Sequence, residues 1–114
     1  MSAGRLAASV EASSLIRRAE AAGDFATVLR KGDPERGSLL LVIRSRGLYS
    51  ACLERSLAID GSYRWALVGP AGGESEEKLA DFLQKRVSFD QDLWLIELDI
   101  AQPERFIAET TFAG

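Results

Sequence analysis

The sequence predicts a single α+β domain over residues 1–114, built on a four- to five-stranded, mainly antiparallel sheet with the element order αββββαβα. Three observations support this fold class. The length of 114 residues is close to the commonest size of one domain. Two segments carry apolar residues at helical spacing, and four consecutive strand-like runs are separated by turn residues. The strands are therefore expected to form a meander, with one helix at the N-terminus and one before the last strand.

Apolar residues repeating about every 3.6 positions predict the helices. The first helix runs from about residue 6 to 22 and ends before Gly23. Its apolar stripe consists of Ala8, Ala12, Leu15, Ile16, Ala19 and Ala22. The second helix has the stripe Leu79, Phe82, Leu83 and Val87. Acidic residues at its start and basic residues at its end complement the helix dipole. A short third helix is predicted from Arg105 to Phe112.

Runs rich in β-branched and aromatic residues predict five strands. The runs are Phe25–Arg30, Ser38–Ser45, Leu48–Leu57, Tyr63–Val68 and, after the second helix, Asp92–Ala101. The segment KGDPERG joins the first two runs with turn-forming residues. Arg46-Gly47 and Asp60-Gly61 are predicted to be two-residue hairpin turns. The first four strands should then form one antiparallel meander.

Two-residue turns predict a register, in which Ile43 pairs with Ser50, Leu41 with Cys52, and Glu54 with Leu67. One face of the sheet should be apolar and take the helices: Phe25, Leu29, Leu39, Leu41, Ile43, Cys52, Tyr63, Trp65 and Leu67. The opposite face has an apolar centre of Val28, Leu40, Val42, Tyr49, Leu53 and Val68, with Arg30, Arg44, Arg55 and Arg64 around it. Arg44 should lie opposite Tyr49, with its guanidinium on the ring. This arginine-rimmed face is expected to be partly uncovered.

The residue types that the chain lacks disfavour several classes of function. There is no histidine, which removes the commonest general base and zinc ligand. The single cysteine, Cys52, cannot form an internal disulfide and is expected to be a buried core residue. Glu97 and Asp99, which share one strand face, are interpreted as a solvated face rather than a metal or acid/base site. We therefore expect no metal site and no cofactor, and the sequence leans away from an enzyme.

Two further segments bear on ligands and location. GPAGGES follows a strand and opens a helix, as phosphate-binding loops do, but Glu74, Glu76 and Glu77 would repel a phosphate. The longest apolar run, Leu39–Ile43, is far shorter than the roughly 20 residues of a transmembrane helix, and the N-terminal residues do not resemble a secretory signal. The sequence predicts a cytoplasmic protein that does not bind membranes.

The densest charge cluster of the chain is the segment from Arg30 to Gly37. As structure, it is a hairpin loop in which Asp33-Pro34 starts a turn. As function, its cations could bind an anionic partner together with the arginines of the neighbouring sheet face, since arginine suits carboxylate and phosphate. The candidate ligand- or partner-binding residues are Arg30, Lys31, Asp33, Arg36, Arg44, Tyr49, Arg55 and Arg64.

The leading hypothesis is a non-enzymatic binding or interaction module, with self-association through a sheet face or edge, or binding to another protein. The alternative hypothesis is a binder of an anionic metabolite, or an enzyme acting on one, that uses the arginines beside the 31–37 loop with Glu54 as acid/base. Nucleic acid is disfavoured, because the pI is near 5.0 and no nucleic-acid-binding motif is present.

Three stretches resemble a known family: SSLIRRAEAAGDFATVLRKGDPERGSLLLV, the LERS…DGSYRW segment and FDQDLWLIELDIAQPERFIAET. Together they cover most of the chain, and they are similar to the small alphaproteobacterial family called domain of unknown function 1491. The resemblance implies a bacterial cytosolic protein and implies no activity. The chain departs from the expected pattern at Glu11, where an apolar or aromatic residue would help to seat the first helix.

Overall fold

The computed structural model describes residues 7–113, apart from the side chains of Leu57, Phe112 and Ala113. Three helices and five strands follow the predicted order. The elements are α1 (Ala8–Ala21), β1 (Phe25–Arg30), β2 (Leu39–Ser45), β3 (Leu48–Leu57), β4 (Tyr63–Val68), α2 (Glu76–Phe89), β5 (Trp94–Asp99) and α3 (Pro103–Ala113). The α+β fold class and the element order αββββαβα are thus confirmed. Among the described residues, no helix is long and apolar enough to cross a membrane.

The strand order in the sheet is β1-β5-β2-β3-β4. β5 lies between β1 and β2, antiparallel to β1 and parallel to β2, so the sheet is mixed. The predicted meander of four strands is therefore wrong for β1 and holds for β2, β3 and β4. The burial of the strands explains the order. β5 is buried on both faces and suits the centre, whereas β1 is half exposed along its length and forms an edge.

The first hairpin turn is confirmed. Arg46 and Gly47 both have positive φ, 53° and 78°, as a type I′ turn requires. Arg44 pairs with Tyr49 as predicted, but a β-bulge follows and the next pair is Ile43 with Ala51. The predicted pairs of Ile43 with Ser50 and of Leu41 with Cys52 are therefore wrong by one residue.

The second hairpin has a longer loop than predicted. The Ala58 N–H donates to the Ser62 carbonyl at 2.7 Å, so Asp60 and Gly61 lie within a wider loop. The Asp60 carboxylate also accepts the Ser62 N–H at 3.0 Å and holds the loop closed. The register of β3 and β4 consequently shifts by one residue, and Glu54 pairs with Ala66 instead of Leu67.

Both faces of the sheet are covered by helices. α1 and α3 pack on the face that carries Trp65, where Leu53 joins the core in place of Cys52. α2 packs on the other face with its predicted apolar stripe, against Leu40, Val42, Tyr49 and Cys52. The expected uncovered face is therefore wrong. The bulge is the physical reason for the exchange of Cys52 and Leu53, because one extra residue moves the following side chains to opposite faces.

The edge strand β1 also differs from the prediction. Phe25 and Leu29 were expected under the helices, but they are 73% and 46% exposed. Ala26 and Val28 pack against the Trp65-side core in their place. β5 sets this orientation, because Val28 pairs with the buried Ile96.

Candidate functional site

The structure separates the arginines that were expected to share one face. Arg44 pairs with Glu97 of β5 and Glu76 of α2. Arg55 pairs with Glu11 of α1, on the opposite face of the sheet. The other two arginines have partners of their own. Arg30 Nη1 donates a hydrogen bond to the Leu93 carbonyl at 2.7 Å, and Arg64 forms an ion pair with Asp60 at 2.9 Å. The prediction of four arginines on one sheet face is therefore wrong for Arg55.

Arg44 ties α2 to the sheet. Its Nε donates to Glu97 at 2.9 Å, and its two terminal nitrogens form a fork with the Glu76 carboxylate at 2.8 and 2.9 Å. These bonds raise the pKa of the Arg44 guanidinium above its ordinary value and lower the pKa of the Glu76 carboxyl. Arg44 pairs with Tyr49 across the two strands, but its guanidinium extends towards these carboxylates. The hydrogen bonds of the Arg44 guanidinium therefore stabilise the packing of α2 on the sheet.

Glu54, the predicted acid/base of the alternative hypothesis, forms an ion pair with Arg86 of α2. This pair lies on the α2 face, as the burial of Cys52 and Leu40 on that side indicates. Glu54 and Arg55 are neighbours in β3 and so point to opposite faces. The structure does not bring Glu54 together with Arg55.

The 31–37 loop crosses the start of β5, because β5 lies between the two strands that the loop connects. Gly32 and Gly37 make the crossing, and a Cβ atom at either position would collide with the Asp92 carbonyl and the Trp94 side chain. The prediction of a hairpin loop is therefore wrong, because β1 and β2 are not neighbours. The two glycines allow the backbone of the loop to pass close to Asp92 and Trp94.

The polar groups of this loop hold its own shape and the start of α1. The Asp33 carboxylate accepts the Glu35 and Arg36 N–H groups at 3.0 and 2.7 Å, and the Asp33 carbonyl accepts the Trp94 indole N–H at 2.8 Å. The Pro34 and Glu35 carbonyls accept the N–H groups of Ser9 and Ala8 in the first turn of α1. Lys31 and Arg36 are exposed on the loop surface. The loop thus positions α1 on the sheet.

Tyr49, another predicted site residue, is buried beneath α2. Its hydroxyl donates to the Pro70 carbonyl at 2.6 Å and lies 3.5 Å from the Cys52 sulfur. Burial raises the pKa of both the Tyr49 phenol and the Cys52 thiol. Cys52 is a buried free thiol, as predicted, and its raised pKa disfavours the reactive thiolate.

Stability is expected to decrease as the pH rises above about 9. The ordinary pKa values are 9.0 for the thiol and 10.0 for the phenol, and folding raises both. The folded chain therefore keeps protons that the unfolded chain releases, and this stabilisation is lost as the pH rises. Urea unfolding midpoints at about pH 8 to 11 measure the effect. Tyr49→Phe should give a flatter decline, and an unchanged decline in this variant would contradict the assignment.

The Trp65 face carries a cavity of about 510 Å³ between α1, α3 and the sheet. It is lined by Leu15, Arg18, Ala19, Ala22, Asp24, Arg55, Trp65, Leu98, Ile100, Phe106, Glu109 and Thr110. Ligand sites in proteins usually have volumes of roughly 300–1,000 Å³ and a mainly apolar lining with a few polar groups. The cavity has this size, and its lining is mixed, with seven apolar and five polar or charged residues.

Arg55 is the polar group of the cavity with the most unusual surroundings. Its guanidinium carbon lies 5.7 Å from the Trp65 ring centre and 5.8 Å from that of Tyr63, within cation–π range. Its Nη1 contacts the Glu11 carboxylate at 2.9 Å. The buried Arg55 Nε and the buried second oxygen of Glu11 have no hydrogen-bond partner among residues 7–113. The ion pair is therefore only partly satisfied.

The other charged side chains in the cavity lining differ in the partners they contact. Asp24 accepts the Ala101 N–H at 3.2 Å, and Glu109 pairs with Arg105 at 3.0 Å. Arg18 is exposed and forms no ion pair with another described residue. Arg18 and Arg55 are thus the two cations of the cavity.

Sequence reasoning identified Arg55 and missed the rest of this cavity, including Arg18, Trp65 and Phe106. Glu11 carried a signal that could have revealed the site. It lies three residues after Ala8 and four before Leu15, on the buried stripe of α1, and it is only 8% exposed. A carboxylate on a buried stripe indicates a buried cation opposite it. In the described part of the chain, no group of three or more acidic or cysteine side chains could hold a metal ion.

Comparison with known proteins identifies the family. The family model described as "protein of unknown function (DUF1491)" matches residues 6–108. The chain belongs to the DUF1491 family. This confirms the resemblance seen in the sequence, and the family description assigns no activity. The comparison with curated proteins gave no match.

Solved DUF1491 structures share the fold. A crystal structure of a family member from Caulobacter crescentus CB15 has a TM-score of 0.78 at 28% identity, covering 90% of this chain and 94% of that one. An NMR structure of a DUF1491 protein from the same organism gives 0.75 at 30% identity, with the same coverage. The solution structure of protein Atu0922 from A. tumefaciens gives 0.71 at 28% identity, covering 85% and 87%. These alphaproteobacterial relatives have the fold over nearly their whole length.

Proposed function

We propose that the domain is a non-enzymatic binding module whose cavity between α1 and α3 holds a small organic anion on Arg55. The observation that carries this proposal is Arg55 itself: its side chain lines a cavity of about 510 Å³, is 25% exposed, and contacts one carboxylate oxygen of Glu11. A ligand oxygen on the exposed part of the Arg55 guanidinium would form a charge-assisted hydrogen bond.

The ionisable groups of the cavity support binding rather than proton transfer. Glu11 is held in its ion pair with Arg55, and the Asp24 and Glu109 carboxylates have partners of their own. Glu54, on the other face of the sheet, cannot serve this cavity. We place the module in the cytoplasm, where its single buried thiol, Cys52, stays reduced.

Self-association is the second candidate function. The covered sheet faces leave only the edge strands for it, and the exposed Phe25 and Leu29 of β1 favour that edge. The register shift between Val28 and Arg30 opposes it, because bulges protect edge strands from pairing. Light scattering decides this question: a dimer that Phe25→Lys converts to a monomer would support it, and a monomeric wild-type protein would rule it out.

A thermal-shift screen against nucleotides, phosphosugars and carboxylates tests the binding function. A ligand at about 100 times its Kd is expected to stabilise the fold by about 2.7 kcal/mol. Arg55→Gln should abolish the shift, because the neutral side chain cannot pair with an anion.

Arg86→Gln is the matched control. Arg86 and Arg55 are 24% and 25% exposed, and each pairs with one carboxylate, but Arg86 lies on the α2 face. The control should keep the ligand-induced shift. A panel without a stabilising ligand, or a shift that survives Arg55→Gln, would contradict the proposed function.

A further inference from the structure

We infer that the outer edge of β4 binds an extended peptide segment of another protein, and that two adjacent apolar side chains of this peptide enter hollows on the two faces of the sheet. Three features of the β4 edge carry this inference: its lack of the usual protection, the exposed side chain of Leu67, and a hollow on each side of the end of the strand. None of the described residues that line the two hollows also lines the Arg55 cavity, so this surface is separate from the proposed anion site.

β4 is an edge strand that lacks the usual protection against pairing. In the described part of the chain it has one neighbouring strand, β3, with which it pairs over six residue pairs without a register shift. Every second residue of such a strand turns its backbone N–H and C=O groups outward, where a further strand can pair with them. Natural sheets protect their edges with bulges, lysine or proline. β1 has a bulge, whereas β4 (YRWALV) has none of these features, and its one cation, Arg64, pairs with Asp60.

The first hollow lies on the Trp65 face of the sheet, beside the end of β4. Leu67 pairs with Leu53, whose side chain belongs to the core on that face, and Leu67 itself is 61% exposed. Together with Ala51 of β3 and Ile107 of α3, Leu67 lines a hollow of about 470 Å³. A side chain of an added strand that points to this face would cover Leu67, and burying this apolar surface would stabilise the complex.

The second hollow lies on the opposite face, where α2 packs beside the end of β4. Gly69 follows the last residue of β4 with a φ of +74°, and a Cβ atom there would approach the Phe82 ring to 2.6 Å. This glycine therefore lets the backbone pass close to Phe82, and both residues line a hollow of about 480 Å³ together with Pro70 and Ala71. Two lysines and two carboxylates complete the lining, so its formal charges balance and favour no charged occupant.

The position of the two hollows fits an added strand. Gly69, Pro70 and Ala71 line both of them, so the hollows lie on either side of the same strand end. Because the side chains of a strand alternate between the faces of a sheet, two successive residues of a strand added to β4 reach the two hollows. Its backbone then pairs with the free edge. In strand addition of this kind, backbone hydrogen bonds provide affinity and alternate side chains provide specificity.

A second copy of the chain suits this edge less well than a peptide does. On the α2 face, a second β4 would offer Arg64, which is paired with Asp60, and Ala66, which is too small to fill the hollow beside Phe82. On the other face, Trp65 is 8% exposed and is held in its own core. A peptide with two adjacent large apolar residues is free of these restrictions and is the occupant that we infer.

NMR titration of the full ¹⁵N-labelled chain with the capped peptide acetyl-GSTLLTSG-amide tests the inference. Saturable shifts are expected at the amides of residues 64–69 and at those of Phe82 and Ile107, while the amides of β1 stay in place. Two control peptides should give no saturable shift. The first has serine in place of both leucines and so lacks the apolar side chains. The second is methylated at both leucine nitrogens and so lacks the N–H group that pairs with the edge.

Leu67→Lys should weaken binding of the leucine peptide by about tenfold or more, because one apolar contact is lost and the edge gains a lysine. Leu67 is largely exposed, so the variant keeps its fold. Leu29→Lys is the matched control, since Leu29 is 46% exposed on the other edge of the sheet, and it should leave the affinity unchanged.

Several results would overturn the inference. The absence of saturable shifts with the leucine peptide, or equal binding of the methylated peptide, would exclude strand addition. Shifts centred on β1, or an affinity that Leu67→Lys leaves unchanged, would exclude the β4 edge. A dimeric wild-type chain that Leu67→Lys converts to a monomer would assign the edge to a second copy in place of a peptide. Each of these results leaves the anion site standing, because its own ligand screen tests it.

Discussion

Gly37→Ala is expected to destabilise the fold by about 3 kcal/mol, because overpacking against backbone has no inexpensive relief. The added Cβ would collide with the Asp92 carbonyl and would approach Cδ1 of Trp94 to 2.7 Å and the Asp33 carbonyl to 2.8 Å. Two of these neighbours are backbone atoms, one at the start of β5 and one within the loop itself. Urea unfolding at neutral pH, with Trp fluorescence as the probe, measures the loss.

The control for this change is Gly23→Ala, at the end of α1. Gly23 has a φ of +84°, but a Cβ there meets no atom within 4 Å. The cost should be about 1 kcal/mol, which is the strain of a left-handed alanine. If the two variants lose the same stability, the loop does not pass close to β5 as the structure describes.

Arg55→Met is expected to destabilise the fold by roughly 3 kcal/mol, because it leaves the Glu11 carboxylate without its cation. The side chain of Glu11 is 11% exposed, so water compensates the lost partner poorly. The double variant Glu11→Met/Arg55→Met should recover most of this loss, since two apolar side chains replace the pair. Denaturant unfolding of the wild type, both single variants and the double variant gives the coupling energy.

The exposed pair of Arg64 and Asp60 provides the comparison. Their side chains are 55% and 57% exposed, so Arg64→Met should leave the unfolding midpoint unchanged. If the losses of unfolding free energy in Glu11→Met and Arg55→Met simply add in the double variant, the two side chains do not interact as a buried ion pair. A loss in Arg55→Met no larger than in Arg64→Met would contradict it as well.

Local patterns predicted the elements of this fold well. The helical stripes of α1 and α2, the turn at Arg46-Gly47 and the pairing of Arg44 with Tyr49 depend on neighbouring residues, and the structure confirms them. The position of β5 depends on long-range pairing, which turn residues do not encode. Its continuous apolar run from Leu93 to Ile96 was the available signal for a central strand.

The candidate site was harder to predict, because it depends on which sheet face each arginine occupies. One bulge at Ser50 placed Arg55 on the α1 side, and no residue type near Ser50 signals that bulge. The 31–37 loop was singled out for its charges. Its carbonyls instead accept the first N–H groups of α1, and this contact helps to place Glu11 opposite Arg55.

The Nε–H resonance of Arg55 in ¹⁵N-labelled protein tests the central claim most directly, because it reports on the guanidinium that would hold the ligand. The resonance can be assigned by its loss in Arg55→Lys. Titration with 4-isopropylbenzoate or phenyl phosphate should shift it saturably, while the Nε–H resonances of Arg64 and Arg86 stay in place. An Arg55 resonance that neither probe moves, or that moves only together with the other two, would contradict an anion site in this cavity.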